Sequence, residues 1–212
     1  MAHLEQKLYC ERVREVFPAY FRNVRVLDAG SQDINGNNRY LFENCEYLGI
    51  DVGPGPNVDL VCPMHKHEPS IPYDTIVSTE AFEHDEFFEE SLRNISKMLR
   101  PGGLFFMTCA SEGRPEHGTH DSHPGCSVHT LDFYENRNPL HFAKALDLPR
   151  TFSLHSFEMN TASHDLYFFG VKHQTPPEED GATMDSPTIN DGHTGKTRWS
   201  ANPTRNPLYF WT

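Results

Sequence analysis

The sequence has no apolar run near the ~18–20 residues that a membrane-crossing helix needs, so no span is expected. Its first 20 residues are polar and charged, unlike a secretory leader. Basic residues are scarce: 18 Lys and Arg stand against 30 Asp and Glu, for a formal charge of −12. Phosphate-rich partners are repelled by such a charge, so a general affinity for nucleic acid or anionic lipid is not expected. No Cys-x-x-Cys occurs, and the five cysteines (Cys10, Cys45, Cys62, Cys109 and Cys126) are scattered and odd in number. This suits reduced thiols in a cytoplasmic setting rather than a disulfide framework. Apolar residues make up only 37% of the 212, so part of the chain is expected to stand outside any core.

That part is the C-terminal end. Pro, Gly, Thr, Asp and Glu dominate from His173 to Thr197, with too few apolar side chains to offset the entropy of ordering. Residues 174–212 therefore read as a polar arm. It ends in Trp199 and then Leu208-Tyr209-Phe210-Trp211, an aromatic anchor suited to its own domain, a second subunit or a protein partner. An incidental cluster on a loose tail fits the same residues.

Residues 1–173 alternate helix-like and strand-like segments. Leu4, Leu8, Val13, Val16 and Phe17 have mostly helical spacing over 3–17, and Pro18 ends the run. Strands are expected at 24–30, 47–51, 58–61, 73–79 and 104–108, with a helix over 35–44. A second, strongly amphipathic helix is expected over 86–100, stopped by Pro101-Gly102-Gly103. Two runs, 151–160 and 165–172, read as a hairpin turning at Thr161–His164. The pattern predicts an α/β fold: a Rossmann-like, doubly wound, mostly parallel seven-stranded sheet with a C-terminal antiparallel hairpin. Ligands of such sheets sit beyond the carboxyl ends of the strands, so chemistry is expected just after each one.

The turn after the first strand reads Val26-Leu-Asp28-Ala-Gly30-Ser31-Gln32. Gly30 lets the backbone bend and a ligand come close. A dinucleotide wants Gly-x-Gly-x-x-Gly there, with its pyrophosphate on a helix N-terminus. Here Asp28 and Asp33 repel a pyrophosphate, and they suit a cationic ligand with an amino group. Asp51 ends the second strand, where an acid can accept both hydroxyls of a ribose. Each signal alone is weak, since an Asp after a strand is commonly a turn or cap residue. Glu80-Ala-Phe-Glu83-His84 after the fourth strand and Leu99-Arg-Pro-Gly-Gly-Leu104 before the fifth make the combination specific.

Over about residues 20–172 the chain resembles the class I S-adenosylmethionine-dependent methyltransferases. The motifs are VLDAGS at 26–31, YLGIDVGPGPNVDLV at 47–61, IVSTEAFEHD at 76–85 and MLRPGGLFFMTCA at 98–110. It also resembles a subgroup with a GRPEHGT stretch, here Gly113–Thr119, followed by Asp132-Phe-Tyr-Glu-Asn136. Ser31 and Asp33 depart from the pattern, standing where many relatives have glycines. The resemblance implies a methyltransferase domain over 1–173 with S-adenosyl-L-methionine as cofactor. It implies Asp28 and Gly30 against the methionine part, with Ser31 and Gln32 beside them. Asp51 is expected on the ribose, Val52 against the adenine, and Cys62 and Met64 at the adenine edge. Thr79 and Glu80 are expected beneath the sulfonium.

On the acceptor side, Glu80, Glu83 and His84 share one face if a helical turn starts there. With His117 from the next loop they form a set that suits a divalent metal such as Zn, Mn or Fe(II). Some superfamily members hold a divalent metal with an Glu-x-x-Glu-His cluster, while in many metal-free relatives the Glu-His pair only caps or orients a loop. Without metal, His84 or His117 is the candidate general base, with Glu83 beside them. The loop from Ser111 to His129 carries His117, His120, His123, His129 and Cys126 in no defensible metal spacing, and it reads as a lid over the acceptor. Arg114 in that loop reads as a salt-bridged arginine before an acceptor-binding one.

The leading expectation is methyl transfer to a small-molecule or glycan-like acceptor, at oxygen. The alternatives are a metal-assisted O-methyltransferase acting on a nucleic-acid terminus and a non-catalytic subunit that binds S-adenosylmethionine. A nicotinamide oxidoreductase is the weakest fit, because the dinucleotide turn is missing.

Overall fold

The computed structural model describes residues 4–175. The arm and its aromatic anchor, Trp199 and Leu208–Trp211, lie outside the described residues.

The strands are β1 (Arg25–Ala29), β2 (Glu46–Asp51), β3 (Leu60–Val61), β4 (Tyr73–Thr79), β5 (Leu99–Ala110), β6 (Phe152–Asn160) and β7 (Asp165–Lys172). They form one seven-stranded sheet in the order β3-β2-β1-β4-β5-β7-β6. Pairings from β3 through β5 are parallel, and β7 runs antiparallel between β5 and β6. The expected fold class holds, hairpin edge included. Among the described residues the α-helices are α1 (Leu4–Val16), α2 (Phe88–Met98), α3 (Pro139–Ala145) and α4 (Leu148–Thr151). None is long and apolar enough to cross a membrane.

Alternation along the strands divides the core in two. Leu27, Ile76, Phe105 and Met107 face a cluster completed by α2, α3 and α4. Val26, Val77, Leu104 and Phe106 face a cluster completed by Tyr9, Cys10 and Val13 of α1. Helix α2 buries Phe88, Leu92, Ile95 and Met98, the face its spacing predicts. Phe142 of α3 is fully buried and packs on the rings of Phe88 (5.1 Å), Phe157 (5.3 Å) and Phe168 (5.7 Å).

Three local expectations are corrected. No helix spans 35–44; a single 3-10 turn, Arg39–Leu41, stands there. Asp33 accepts hydrogen bonds from Gly36 N and Asn37 Nδ2, both at 2.7 Å, and Asn37 Oδ1 accepts from Arg39 N at 3.1 Å. These side chain–backbone bonds compete with the helix and win in a stretch rich in asparagine. Helix α1 buries Gln6, Tyr9, Cys10 and Val13, whereas Leu4, Leu8 and Val16 are exposed. Strand β5 begins at Leu99, which pairs with Tyr73; the register then jumps so that Leu104 pairs with Thr75. The Pro-Gly-Gly segment is thus an irregularity inside a strand, with Gly102 at φ +69°.

Helices α3 and α4 were missed, although Asn138-Pro139 carries a readable start. The Asn138 side chain accepts from Leu140 N and His141 N, and proline occupies the first turn. Replacing Phe142 with alanine is expected to cost about 3–5 kcal/mol, the usual range for a truncated core aromatic. Urea unfolding checks this; a loss under about 1 kcal/mol would mean the aromatic cluster closes over the gap.

Candidate active site

The carboxyl ends of the parallel strands open into a cavity of about 640 Å³. Gly30 and Gln32 line it after β1, Asp51 and Val52 after β2, and Cys62 and Met64 after β3. Thr79, Glu80 and His84 line it after β4, and His117 comes from the loop after β5. Three expected site residues, Asp28, Ser31 and Glu83, are not among its lining.

The turn after β1 is held close against its neighbours. Gly30 has φ +81°, and a Cβ there would lie 2.3 Å from the Cβ of Ala81. Only glycine fits this backbone and this gap. Gly30 N and Ser31 N both donate to Ile50 O, at 2.9 and 3.0 Å. Asp51, at the end of β2, accepts from Gln32 N at 3.1 Å and from Gly53 N at 3.5 Å. Burial raises its pKa, and the backbone N–H groups of Gln32, Gly53 and Val52 oppose the rise. The carboxylate is thereby fixed in orientation while still facing the cavity.

Asp28 acts elsewhere. On the β1 pleat it shares the side of Val26, and it is buried without lining the cavity. It accepts from the Tyr47 hydroxyl, from Asn38 Nδ2 at 3.3 Å and from Asn57 Nδ2 at 3.4 Å. Asn38 Nδ2 also reaches Thr79 Oγ1 at 3.1 Å, and Asn57 Nδ2 donates to Ser31 O at 2.8 Å. Ser31 spends its hydroxyl on Asn57 O at 3.1 Å. Both Asp28 and Ser31 thus support the turn, and neither lines the cavity beside which they were expected. The asparagines were not singled out in the sequence, because nothing in their spacing shows that a failed helix would carry them under β1.

The Phe82–His84 turn is 3-10; the Glu80 carboxyl neighbours that of Glu83 but does not join the cluster that Glu83 and His84 form with His117. Glu80 has φ +52°, a left-handed conformation uncommon for a side chain of this kind. Its Oε1 accepts from Thr108 Oγ1 at 3.0 Å, and its Oε2 is buried without a hydrogen-bond partner. One ligand atom each from Glu83, His84 and His117 lies within 4.8 Å of the others, and Glu80 is outside this group. Burial pushes the Glu83 carboxyl up to about 7 and Glu80 well above the usual carboxylate range, where the neighbouring Glu83 charge adds to the effect. Burial lowers His84 to about 4, partly opposed by a bond to the Phe133 backbone, so its imidazole is neutral at neutral pH. His84 Nδ1 has no partner. His117 is also lowered, mainly by burial. Its Nδ1 lies 3.1 Å from Pro115 O, which can only accept, so Nε2 carries the free lone pair.

The loop from Ser111 to Arg137 covers this end. His129 rests on Gly53, where a Cβ would lie 2.3 Å from its ring, and its Nε2 meets Pro54 O at 3.1 Å. Arg137, only 4% exposed, donates to Phe82 O at 2.9 Å and Asp85 O at 2.8 Å and lies 4.5 Å over the Phe88 ring. It clasps the turn that carries Glu83 and His84. Arg114 is salt-bridged to buried Asp165 at 3.2 Å. Arg137 escaped the sequence reading, since a lone arginine in a loop has no distinguishing pattern.

A family model describing a methyltransferase domain matches residues 1–157, and the chain belongs to that family. Solved structures share the fold. Phosphoethanolamine N-methyltransferase 2 of Haemonchus contortus, in complex with S-adenosyl-L-methionine, is 15% identical with a TM-score of 0.57. The match covers 79% of this chain and 53% of that one. The 1,6-didemethyltoxoflavin-N1-methyltransferase of Burkholderia thailandensis, with S-adenosylhomocysteine bound, is 14% identical over 79% of this chain and 78% of that one, with a TM-score of 0.56. The N-methyltransferase NodS of Bradyrhizobium japonicum, with S-adenosyl-L-homocysteine, is 14% identical over 81% and 88%, with a TM-score of 0.54. Comparison with curated proteins finds no match. Family and fold define an S-adenosylmethionine-dependent methyltransferase of class I.

Burial raises Asp28 to about 6 despite bonds from Tyr47, Asn38 and Asn57. A carboxyl whose folded pKa lies above its unfolded value stabilises the fold below about pH 4 and loses that contribution as pH rises through 6. Asp28→Asn should therefore gain on the native protein between pH 4 and 7, by up to about 3 kcal/mol. Urea unfolding across that range checks the sign; a gain on acidification would refute it.

Proposed function

We propose that the cavity holds S-adenosyl-L-methionine along Gly30–Gln32, Asp51–Val52 and Cys62–Met64, and that its methyl goes to a hydroxyl of a small-molecule or glycan-like acceptor beside Glu80, His84 and His117. The observation that carries this reading is Asp51. Its carboxylate is locked by the backbone N–H groups of Gln32 and Gly53, faces the cavity, and stands next to the close-packed Gly30 turn. Two acceptor oxygens so fixed fit a ribose diol, and only a 3-10 turn, not an α-helix, follows the Gly30 turn where a dinucleotide fold would receive its pyrophosphate. When bound, S-adenosylmethionine supplies a methyl on a cationic sulfur, whose carbon–sulfur bond breaks with its electron pair staying on sulfur. The protein's part is positioning and electrostatics.

Of the two imidazoles, His117 is the better proton acceptor. His84 is held down to about 4 by burial, whereas His117 is lowered less strongly and keeps Nε2 free because Nδ1 is tied to Pro115 O. His117 Nε2 takes the proton that the acceptor hydroxyl loses. An acceptor end that opens into the same cavity supports an enzyme over a non-catalytic binding subunit. Gly113–Thr119 supplies both Arg114 and His117, which fits membership of the GRPEHGT subgroup.

A second reading has one observation in its favour, the convergence of Glu83, His84 and His117. One carboxylate and two neutral imidazoles suit a divalent ion such as zinc, which lowers the pKa of a hydroxyl bound beside it. The donors fit: Glu83 and His84 Nδ1 are buried without hydrogen-bond partners.

Asp51→Ala is expected to weaken S-adenosylhomocysteine binding by about 1–3 kcal/mol in calorimetry, the range for hydrogen bonds to a charged group. Unchanged affinity refutes the ribose assignment. For the metal, elemental analysis of untagged protein should find one equivalent of Zn, Mn or Fe that His117→Ala removes; a metal-free native protein excludes it.

A further inference from the structure

The acceptor end of the cavity is lined with more carboxylates than cations. Glu86, Glu116 and Asp132 are exposed on its wall, with Asp85 deeper in. Glu116 accepts from Thr119 Oγ1 and Asp132 lies 3.3 Å from His120, but neither meets a lysine or arginine. The only opposing full charges among the lining residues are Lys66 and Arg114, and Arg114 is already bridged to Asp165. A phosphate or carboxylate entering here meets net repulsion.

Two buried polar atoms on the same wall lack partners: Glu80 Oε2 and His84 Nδ1, the latter on a side chain that is 6% exposed. Hydroxyl groups, which both donate and accept, satisfy a protonated carboxyl and an imidazole nitrogen alike. The same cavity carries an apolar plate. Phe87 lines the cavity at 46% exposure, and the His65 ring packs on it with centroids 4.3 Å apart. An exposed aromatic face sharing a cavity with unpartnered polar atoms offers one surface to C–H groups and another to hydroxyls.

We propose that the acceptor is a sugar ring without an anionic group, neutral or amino-substituted, whose hydroxyls meet Glu80 and His84 and whose C–H face lies on Phe87. This rests on the methyl-transfer reading above and narrows it to one chemical class. It sets aside nucleic-acid termini, sugar phosphates and uronic acids, because each brings an anion to an acidic wall.

The test uses the full chain, methyl-labelled S-adenosylmethionine and a panel of sugars. The panel holds neutral monosaccharides, amino sugars, the same sugars as 1-phosphates, and the corresponding uronic acids. Transfer to neutral or amino sugars is expected, with kcat/KM for the charged counterparts lower by about tenfold or more. Phe87→Ala should raise KM for the preferred sugar while leaving S-adenosylhomocysteine affinity unchanged, and Phe87→Trp should restore it. Preference for phosphates or uronates overturns the proposal. So does absence of transfer to every sugar by a protein that binds S-adenosylhomocysteine normally. If S-adenosylhomocysteine itself does not bind, the methyltransferase reading of the cavity fails instead.

Discussion

The buried carboxylate of Asp28 is the contact on which the cofactor end of the molecule depends. Tyr47 of β2, Asn38 of the β1–β2 crossover and Asn57 of the loop before β3 all donate to it. Asn38 extends the network to Thr79 at the end of β4, and Asn57 extends it to the Ser31 carbonyl. One ionisable group thus fastens β1 and β2, and through Asn38 the end of β4, to the two connections that flank β2. Burial opposes its charge, and three neutral donors hold it in place. The crossover has no helix of its own, so this polar network does the fastening that helix packing usually does.

At the acceptor end the corresponding clasp is Arg137. Its guanidinium holds the carbonyls of Phe82 and Asp85, which bracket Glu83 and His84, and the Glu135 N–H adds a bond to the Glu83 carbonyl at 2.8 Å. The covering loop is therefore continuous with the turn that carries the chemistry. Glu80 and Glu83 remain buried with few partners and raised pKa values, a costly arrangement of the kind found where a ligand completes the site.

Most of the sheet was legible in the sequence because strands buried on both faces are short apolar runs closed by turn residues, as in Val26-Leu27 and Ile76-Val77. Asp51, Glu80, His84 and His117 were legible because fold class places chemistry at the carboxyl ends of strands. The absent helix at 35–44 was not, since Asp33, Asn37 and Asn38 spend their side chains on local and tertiary bonds that periodicity does not report. The exposed face of α1 was misread for a related reason. Apolar residues such as Leu4, Leu8 and Val16 are exposed while Gln6 is buried, a choice made by what packs against the helix.

Sequence alone determined the class: residue order, apolar periodicity and the acids after β1 and β2 are local properties, and they point to one sheet and one kind of cofactor. Tertiary structure decided which of those acids lines the cavity. Tyr47, Asn38 and Asn57 enclose Asp28 while Asp51 stays at the cavity, and the loop after β5 brings His117 to Glu83 and His84 across more than thirty residues of chain. Such contacts depend on how separate segments meet in space, and no spacing along the chain encodes that meeting.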